Sequence, residues 1–382
     1  MDTTRNATLQ DLVTLLQDQH ARKLDVVAHT SSFHARNGNL VVSSTEPILT
    51  PDGVDTSDGT YRMTDVADNG IAHRLGIPRQ YLRKMREERA DLYDANVNGW
   101  LHGNQMTDPW HAGIDKQFLL RLFRPGADDE IGVARAFLSD RFGIIDNLDV
   151  LTSALSGIRD AGATVSIDKC DLTDRRMYVR VSAPEVAAMA PALLAGYRSP
   201  FTGQSGDELP VVHAGFIISN SEVGDGAYTI TPQVIVQVCS NGMTMKADAL
   251  RSVHLGSKLD EGVIKWSADT QRKALDLVTA RTKDAVATFL DVDYVTDVVN
   301  RVESNAVTKL SEPVDTVKTV TAELKFTDTE SAGILAHFIK GGQTTAGGVM
   351  QAVTSFAQTI EDADRAYEVE SKGVEALELA AA

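Results

Sequence analysis

Apolar residues recur at helical spacing near the start of the chain. Leu9, Leu12, Val13, Leu15 and Leu16, within 7–20, fall on one face of a predicted helix. Residues 38–62 are rich in Gly, Pro, Asp, Ser and Thr and read as strand fragments joined by loop. Residues 64–89 read as helical with a break at Gly76-Ile77-Pro78, where Pro78 suits the first turn of a second helix. Residues 116–124 and 132–138 predict two strands around a turn. A helix over 147–160 follows, capped by Asp146 or Asn147 and ended near Gly162. A hairpin over 163–169 and 177–182 comes next, then a short helix within 184–196 and a loop over 198–209.

The stretch 215–242, GFIISNSEVGDGAYTITPQVIVQVCSNG, reads as two strands around a turn, with GMTMKA as a third strand. Gly224 and Gly226 supply the positive φ such a turn needs. Asn220, Ser221 and Glu222 have side chains that bond to a turn's own amides. Asn241-Gly242 is a strong hairpin dipeptide. Pro232 donates no ladder hydrogen bond, so its strand is an edge there or carries a bulge.

From about 266 to 303 the pattern is helical, with Leu275, Val278, Ala285, Phe289 and Leu290 in one stripe and a break near Asp291–Asp293. Further helices are predicted over 327–340 and 346–371. The fold class is therefore α+β: an antiparallel twisted sheet of hairpins packed against a long helix, with helical N- and C-terminal regions. The expected division is an N-terminal helical and loop region over 1–115, a central α+β core over 116–305 and a C-terminal helical region over 306–382. The acidic tail from 361 reads as a solvated helix that frays.

Thirty-seven Lys and Arg stand against 53 Asp and Glu, a formal charge of −16. That repels nucleic acid at long range unless cations gather locally. Cys170 and Cys239 form no CxxC and lie in apolar, alternating surroundings, so both read as buried reduced thiols. There is no basic-then-apolar leader and no apolar run of membrane-span length, so no membrane partner and a cytoplasmic location are expected.

Nine scattered histidines show no metal-ligand spacing, and GxGxxG, GxSxG and a P-loop are absent. No metal, cofactor or catalytic residue is expected. A lesser enzymatic reading would need Glu222, His213, His254 and Cys239 to gather in one pocket. Two basic patches oppose the net charge. Residues 71–89 carry Arg74, Arg79, Arg83, Lys84, Arg86 and Arg89 around the Gly-Ile-Pro break, in the form of a helix-turn-helix; the competing reading is a helix pair docked by Ile71, Leu75, Ile77 and Leu82. The second patch is split: Lys169, Arg175, Arg176 and Arg180 around the first hairpin, then Lys246, Arg251, His254 and Lys258 after the second. Side by side, these cations would line a groove for a phosphate backbone.

LGIPRQYL (75–82), NVNGWL (96–101), RAFLSDRFGIIDNLDVL (135–151), the 215–242 stretch, His254–Gly256 and GGVMQAVTSFAQ (347–358) together resemble the DUF932 family, uncharacterised proteins of phages and plasmids. NSEVG followed by a strand and CSNG is the more specific marker. The resemblance implies a phage or plasmid genome and brings no established activity. The order of helix, hairpin, antiparallel strands and long helix is also similar to that of Rad52-type single-strand annealing proteins, which form rings around a basic groove.

Two functional readings follow. In the first, the chain is a non-enzymatic, homo-oligomeric nucleic-acid protein, a single-stranded DNA annealing or recombination factor. Lys169, Arg175, Arg176, Arg180, Lys246, Arg251 and Lys258 then contact phosphates, and Asn220, Ser221 and Glu222 fix the turn that shapes the groove. In the second, it is an oligomeric interaction protein for a phage or host partner, without nucleic acid.

Overall fold

The structure, a computed structural model, describes residues 3–43, 45–50, 53–103, 113–126, 129–252 and 268–382. Lys258, His254 and the rest of the His254–Gly256 segment lie outside the described residues. The fold is α+β and built on two mainly antiparallel sheets.

The first sheet orders its strands β2 (Lys23–His29), β8 (Gln117–Phe123), β9 (Gly132–Ser139), β7 (Gly59–Met63), β4 (Asn39–Val42) and β3 (Phe33–Arg36). Strand pairing runs across the expected division at 116, since β8 pairs with β2 from Lys23↔Phe123 to His29↔Gln117. A short ribbon, β5 (Ile48–Thr50) with β6 (Gly53–Asp55), stands apart. Helices α2 (Asp65–Leu75), α3 (Arg79–Glu88) and α4 (Ala90–His102) contribute to the core of this sheet, where Ile71, Leu75, Leu82 and Met85 join Phe33, Phe118 and Phe137. Gly70 lets α2 lie against β9, because a Cβ there would sit 2.4 Å from the Phe137 carbonyl. Along β8, Leu120 and Leu122 face this core, so the period of two turns Arg121 to the other side.

The second sheet runs β1 (Thr4–Ala7), β10 (Ser166–Leu172), β11 (Met177–Met189), β12 (Val211–Asn220) and β13 (Tyr228–Val236). β14 (Asn241–Thr244) and β15 (Leu250–Ser252) both pair with β13. Pro232 bonds into the gap between them: β14 pairs from Gln233, β15 pairs up to Ile230, and the missing N–H falls where the outer strand is interrupted. The expected helix within 184–196 is mostly strand. Ala187, Ala188 and Met189 continue β11 by pairing with His213, Val212 and Val211, and only α6 (Pro191–Leu194) is helical.

One face of this sheet packs on α1 (Leu9–Arg22), α5 (Asn147–Ala161) and the long α7 (Ala268–Phe289), with Leu12, Val150, Val179, Phe216 and Val278 in the core. Thr8 and Asp11 close a capping box on α1. Helices α8 (Val292–Ala306), α9 (Pro313–Glu323), α10 (Asp328–Gly341), α11 (Ala346–Ala357), α12 (Ala363–Glu370) and α13 (Gly373–Ala381) form the helical C-terminal region. Its tail is packed rather than frayed: Val369, Ala376 and Leu377 are buried in the same core as Val349 and Val353. Cys239 is buried there too.

The other face of the sheet meets α12 through polar groups. The Tyr178 hydroxyl donates to Asp364 Oδ1 at 2.8 Å, the Tyr178 and Tyr367 rings lie 4.9 Å apart, and Arg180 Nη2 reaches Glu370 at 3.2 Å.

Gly157 sets the approach of α5 to α7, since a Cβ there would lie 2.5 Å from the Thr279 carbonyl. Gly→Ala inside an ordinary helix gains about 1 kcal/mol. Gly157→Ala is expected to destabilise instead, by about 1–3 kcal/mol, because the helices must part. A urea midpoint at or above that of the wild type would refute this.

Candidate nucleic-acid interface

Where the two sheets meet, charges are buried together. Arg121, wholly buried on β8, donates to Asp25 Oδ2 at 2.9 Å and Asp146 Oδ1 at 2.6 Å, and its Nη1 donates to the Glu222 carbonyl. Arg135 on β9 pairs with the Glu222 carboxylate and stacks 4.1 Å from the Phe123 ring centroid. Glu222 Oε2 accepts from the Asn147 amide at 2.8 Å, so a residue on the β12–β13 turn caps α5. Asn220 Nδ2 donates to Asn147 Oδ1 at 2.8 Å, and Lys23 pairs with Asp146. Burial pushes the Asp146 carboxyl up, but Arg121 and Lys23 outweigh it and hold the group at about 2. The Arg121 guanidinium, which burial alone would weaken as a base, is raised by Asp25 and Glu222. The neighbouring cavity, about 10 Å³, has room for one water at most.

The expected turn chemistry is therefore divided. Ser221 Oγ accepts from the Asp225 amide at 2.9 Å, and Gly224 and Gly226 take φ of +85° and +148°. Asn220 and Glu222 instead leave the turn and lock the sheets. With Glu222 anchored, the tip at Val223, Gly224 and Asp225 forms one wall of a cleft of about 660 Å³. The opposite wall is the α2–α3 pair, through Asn69, His73, Gly76, Pro78 and Arg79.

That pair has the geometry of two helices joined at a three-residue turn. Thr64 caps α2 by accepting from the Ala67 amide at 3.2 Å; Gly76 ends α2 in the left-handed region at φ +68°. Arg86 docks α3 by ion pairs to Asp65 and Asp68 at 3.0 and 2.8 Å, and Arg83 reaches Asp65 at 3.0 Å. The docked helix pair is observed for Ile71, Leu75 and Leu82, which are buried, while basic side chains of the pair remain outside. Arg74 and Arg79 are exposed and make no ion pair among the described residues, and exposed Lys84 has only Glu88 at 3.8 Å. Tyr81, 53% exposed, lies three residues before Lys84 on the same face.

The hairpin cations, in contrast, do not assemble into one stripe. Arg180 is mostly buried and already held by two carboxylates, Asp171 at 2.6 Å and Glu370 at 3.2 Å. Arg175 lies 3.8 Å from Asp225, and Arg176 Nε donates to the Asp225 carbonyl at 2.6 Å across Gly226. Lys169 on β10 registers with Arg180 on β11. Arg251 sits on β15, three strand spacings from β11, about 14 Å away. Lys246 is exposed beside Lys372 and Glu368. The candidates for an enzymatic site are also apart. His213 and Asn220 stand seven residues apart on β12, about 23 Å, Glu222 lies further on, and Cys239 faces the C-terminal core. Gly242 sits where a Cβ would lie 2.4 Å from Gln233 Nε2, and Asn241 opens β14 opposite Val236. Among the described residues no group of three His, Cys, Asp or Glu is placed to hold a metal, and no helix is long and apolar enough to cross a membrane.

No family model, curated protein or solved structure matches the chain.

Removing the Glu222 charge leaves buried Arg135 unpaired, so Glu222→Gln is expected to cost about 3–5 kcal/mol in chemical denaturation; an unchanged midpoint would show that the cluster does not join the sheets. The folded Asp146 carboxyl lies below its ordinary 3.8, at about 2. Its contribution is thus full above about pH 4 and lost as pH falls towards 2. Melting curves across that range should show a shallower acid limb for Asp146→Asn; an identical limb would assign the loss to other groups.

Proposed function

We propose that the protein binds nucleic acid through the outer face of α2–α3, with α3 as the helix that approaches the ligand. The observation that carries this reading is the contrast in charge. The chain is at −16, yet 71–89 holds six Lys and Arg against two Glu, and Arg74, Arg79 and Lys84 are left exposed after Arg83 and Arg86 are neutralised. The first turn of α3 presents Arg79, Gln80 and Tyr81 to solvent, and in helix-turn-helix proteins the start of the second helix contacts base edges. Tyr81 adds a ring on which an unpaired base can stack. An annealing role and a phage or plasmid setting rest on the sequence resemblance and belong to the proposal.

The alternative, an oligomeric interaction protein without nucleic acid, can draw on exposed side chains such as Met189 and Ile339. Single apolar exposures of that kind are ordinary on monomers, and so favour it less.

Anisotropy titrations of labelled duplex and single-stranded oligonucleotides test the proposal. Affinity should fall steeply between roughly 50 and 200 mM salt, and the Arg74→Ala/Arg79→Ala/Lys84→Ala variant should flatten the slope on duplex by about 2–3. Arg175→Ala/Arg176→Ala should bind as the wild type. Absence of binding at low salt would overturn the reading. Binding that survives the triple variant would return the interface to the hairpins.

A further inference from the structure

A second cavity lies on the polar face of the second sheet, bounded by β1, β10, β12, the Ser240 turn and the α11–α12 segment. Its volume is about 160 Å³, comparable to a cavity that holds one benzene-sized molecule. We propose that it binds a small monocarboxylate, with Lys169 pairing with the carboxylate and the apolar tail lying against Ile235, Ala357 and Ala366.

The floor of the cavity needs no ligand. Arg180 is paired with Asp171 and Glu370 at 2.6 and 3.2 Å, Arg5 with Asp171 at 2.8 Å, and Gln233 Nε2 donates to Glu370 Oε1 at 3.0 Å. Two guanidiniums face two carboxylates, so this layer is neutral and its acceptors are occupied. The absence of a Cβ at Gly242 preserves it, since that atom would lie 2.9 Å from Glu370 Oε1.

The rim is different. Lys169 is half-buried and makes no ion pair or hydrogen bond among the described residues. The same holds for hydrogen bonds of the His213 ring, and Arg5 Nε is a buried donor without a partner. Of these, Arg5 Nε is withdrawn from water without an acceptor, while Lys169 brings an unpaired, partly solvated ammonium to the same cavity; an oxyanion relieves the desolvation cost of the first and pairs the charge of the second. Asp168, exposed and lining the same cavity, carries the opposite charge. It disfavours a dianion, so one carboxylate is preferred to two or to phosphate. Ile235, Ala357 and Ala366 supply an apolar wall that a hydrated inorganic ion would not use.

The site shares no residue with the α2–α3 face, so either proposal can fail alone. Benzoate is the probe, with benzamide as its uncharged analogue and succinate as the dianion, titrated by calorimetry and by amide shifts of the labelled full chain. Benzoate should bind in about the millimolar range and shift amides at Lys169, His213 and Ile235. Benzamide and succinate should bind roughly tenfold more weakly, as should benzoate to Lys169→Met, which keeps the aliphatic stem; Lys169→Arg should retain binding. Equal affinities for benzoate and benzamide, unchanged benzoate binding by a folded Lys169→Met, or no shift at those amides would each overturn the assignment.

Discussion

Glu222 is held by three partners that belong to different parts of the chain. Its carboxylate meets Arg135 of the first sheet and the first amide of α5, and its carbonyl meets Arg121. Apolar contact between the halves of the molecule is non-directional and would tolerate sliding. Charged hydrogen bonds would not, because a shift of an ångström or so leaves a buried ion unpaired. Desolvation makes such a cluster a poor source of net stability, and its contribution is better understood as registration. Three cations, Lys23, Arg121 and Arg135, face three carboxylates, Asp25, Asp146 and Glu222, so the joint is electrically closed. The turn tip that follows Glu222 is held opposite α2–α3 as a result.

The same economy of charge shapes the surface. Arg86, Arg121, Arg135 and Arg180 are all spent on internal carboxylates. The net charge therefore says little about any one face. What matters is which cations remain after pairing among the described residues, and on the α2–α3 face those are Arg74 and Arg79, beside an exposed Lys84 that has Glu88 at 3.8 Å.

Much of the fold was legible because its signals are local. The stripe through Leu9, Leu12 and Leu16, the Gly76-Ile77-Pro78 break and Gly162 beyond α5 all mark real boundaries. The end of β11 was not, because Ala187 and Ala188 have no strong preference and become strand only by pairing with β12. The tail misled for a similar reason: its carboxylates suggest solvation, but Val369, Ala376 and Leu377 recur at helical spacing and are buried. The inter-sheet cluster left a trace that could have been followed. Arg121 and Arg135 each interrupt an apolar strand, in FLLRLF and GVARAF, and a cation so placed requires a buried acid. Which acid it is depends on contacts such as Arg135 with Glu222 and Arg121 with Asp25, between residues 87 and 96 positions apart, which no local pattern contains.

The interruption at Pro232 also bears on how copies of the chain can meet. On that border of the sheet, β14 offers four residues and β15 three, with the proline between them. A neighbouring molecule laying an extended segment there would lose its ladder after a few bonds, which is the usual defence against open-ended stacking. Assembly through this border by strand addition is thereby disfavoured, which leaves β1 as the other edge of the same sheet.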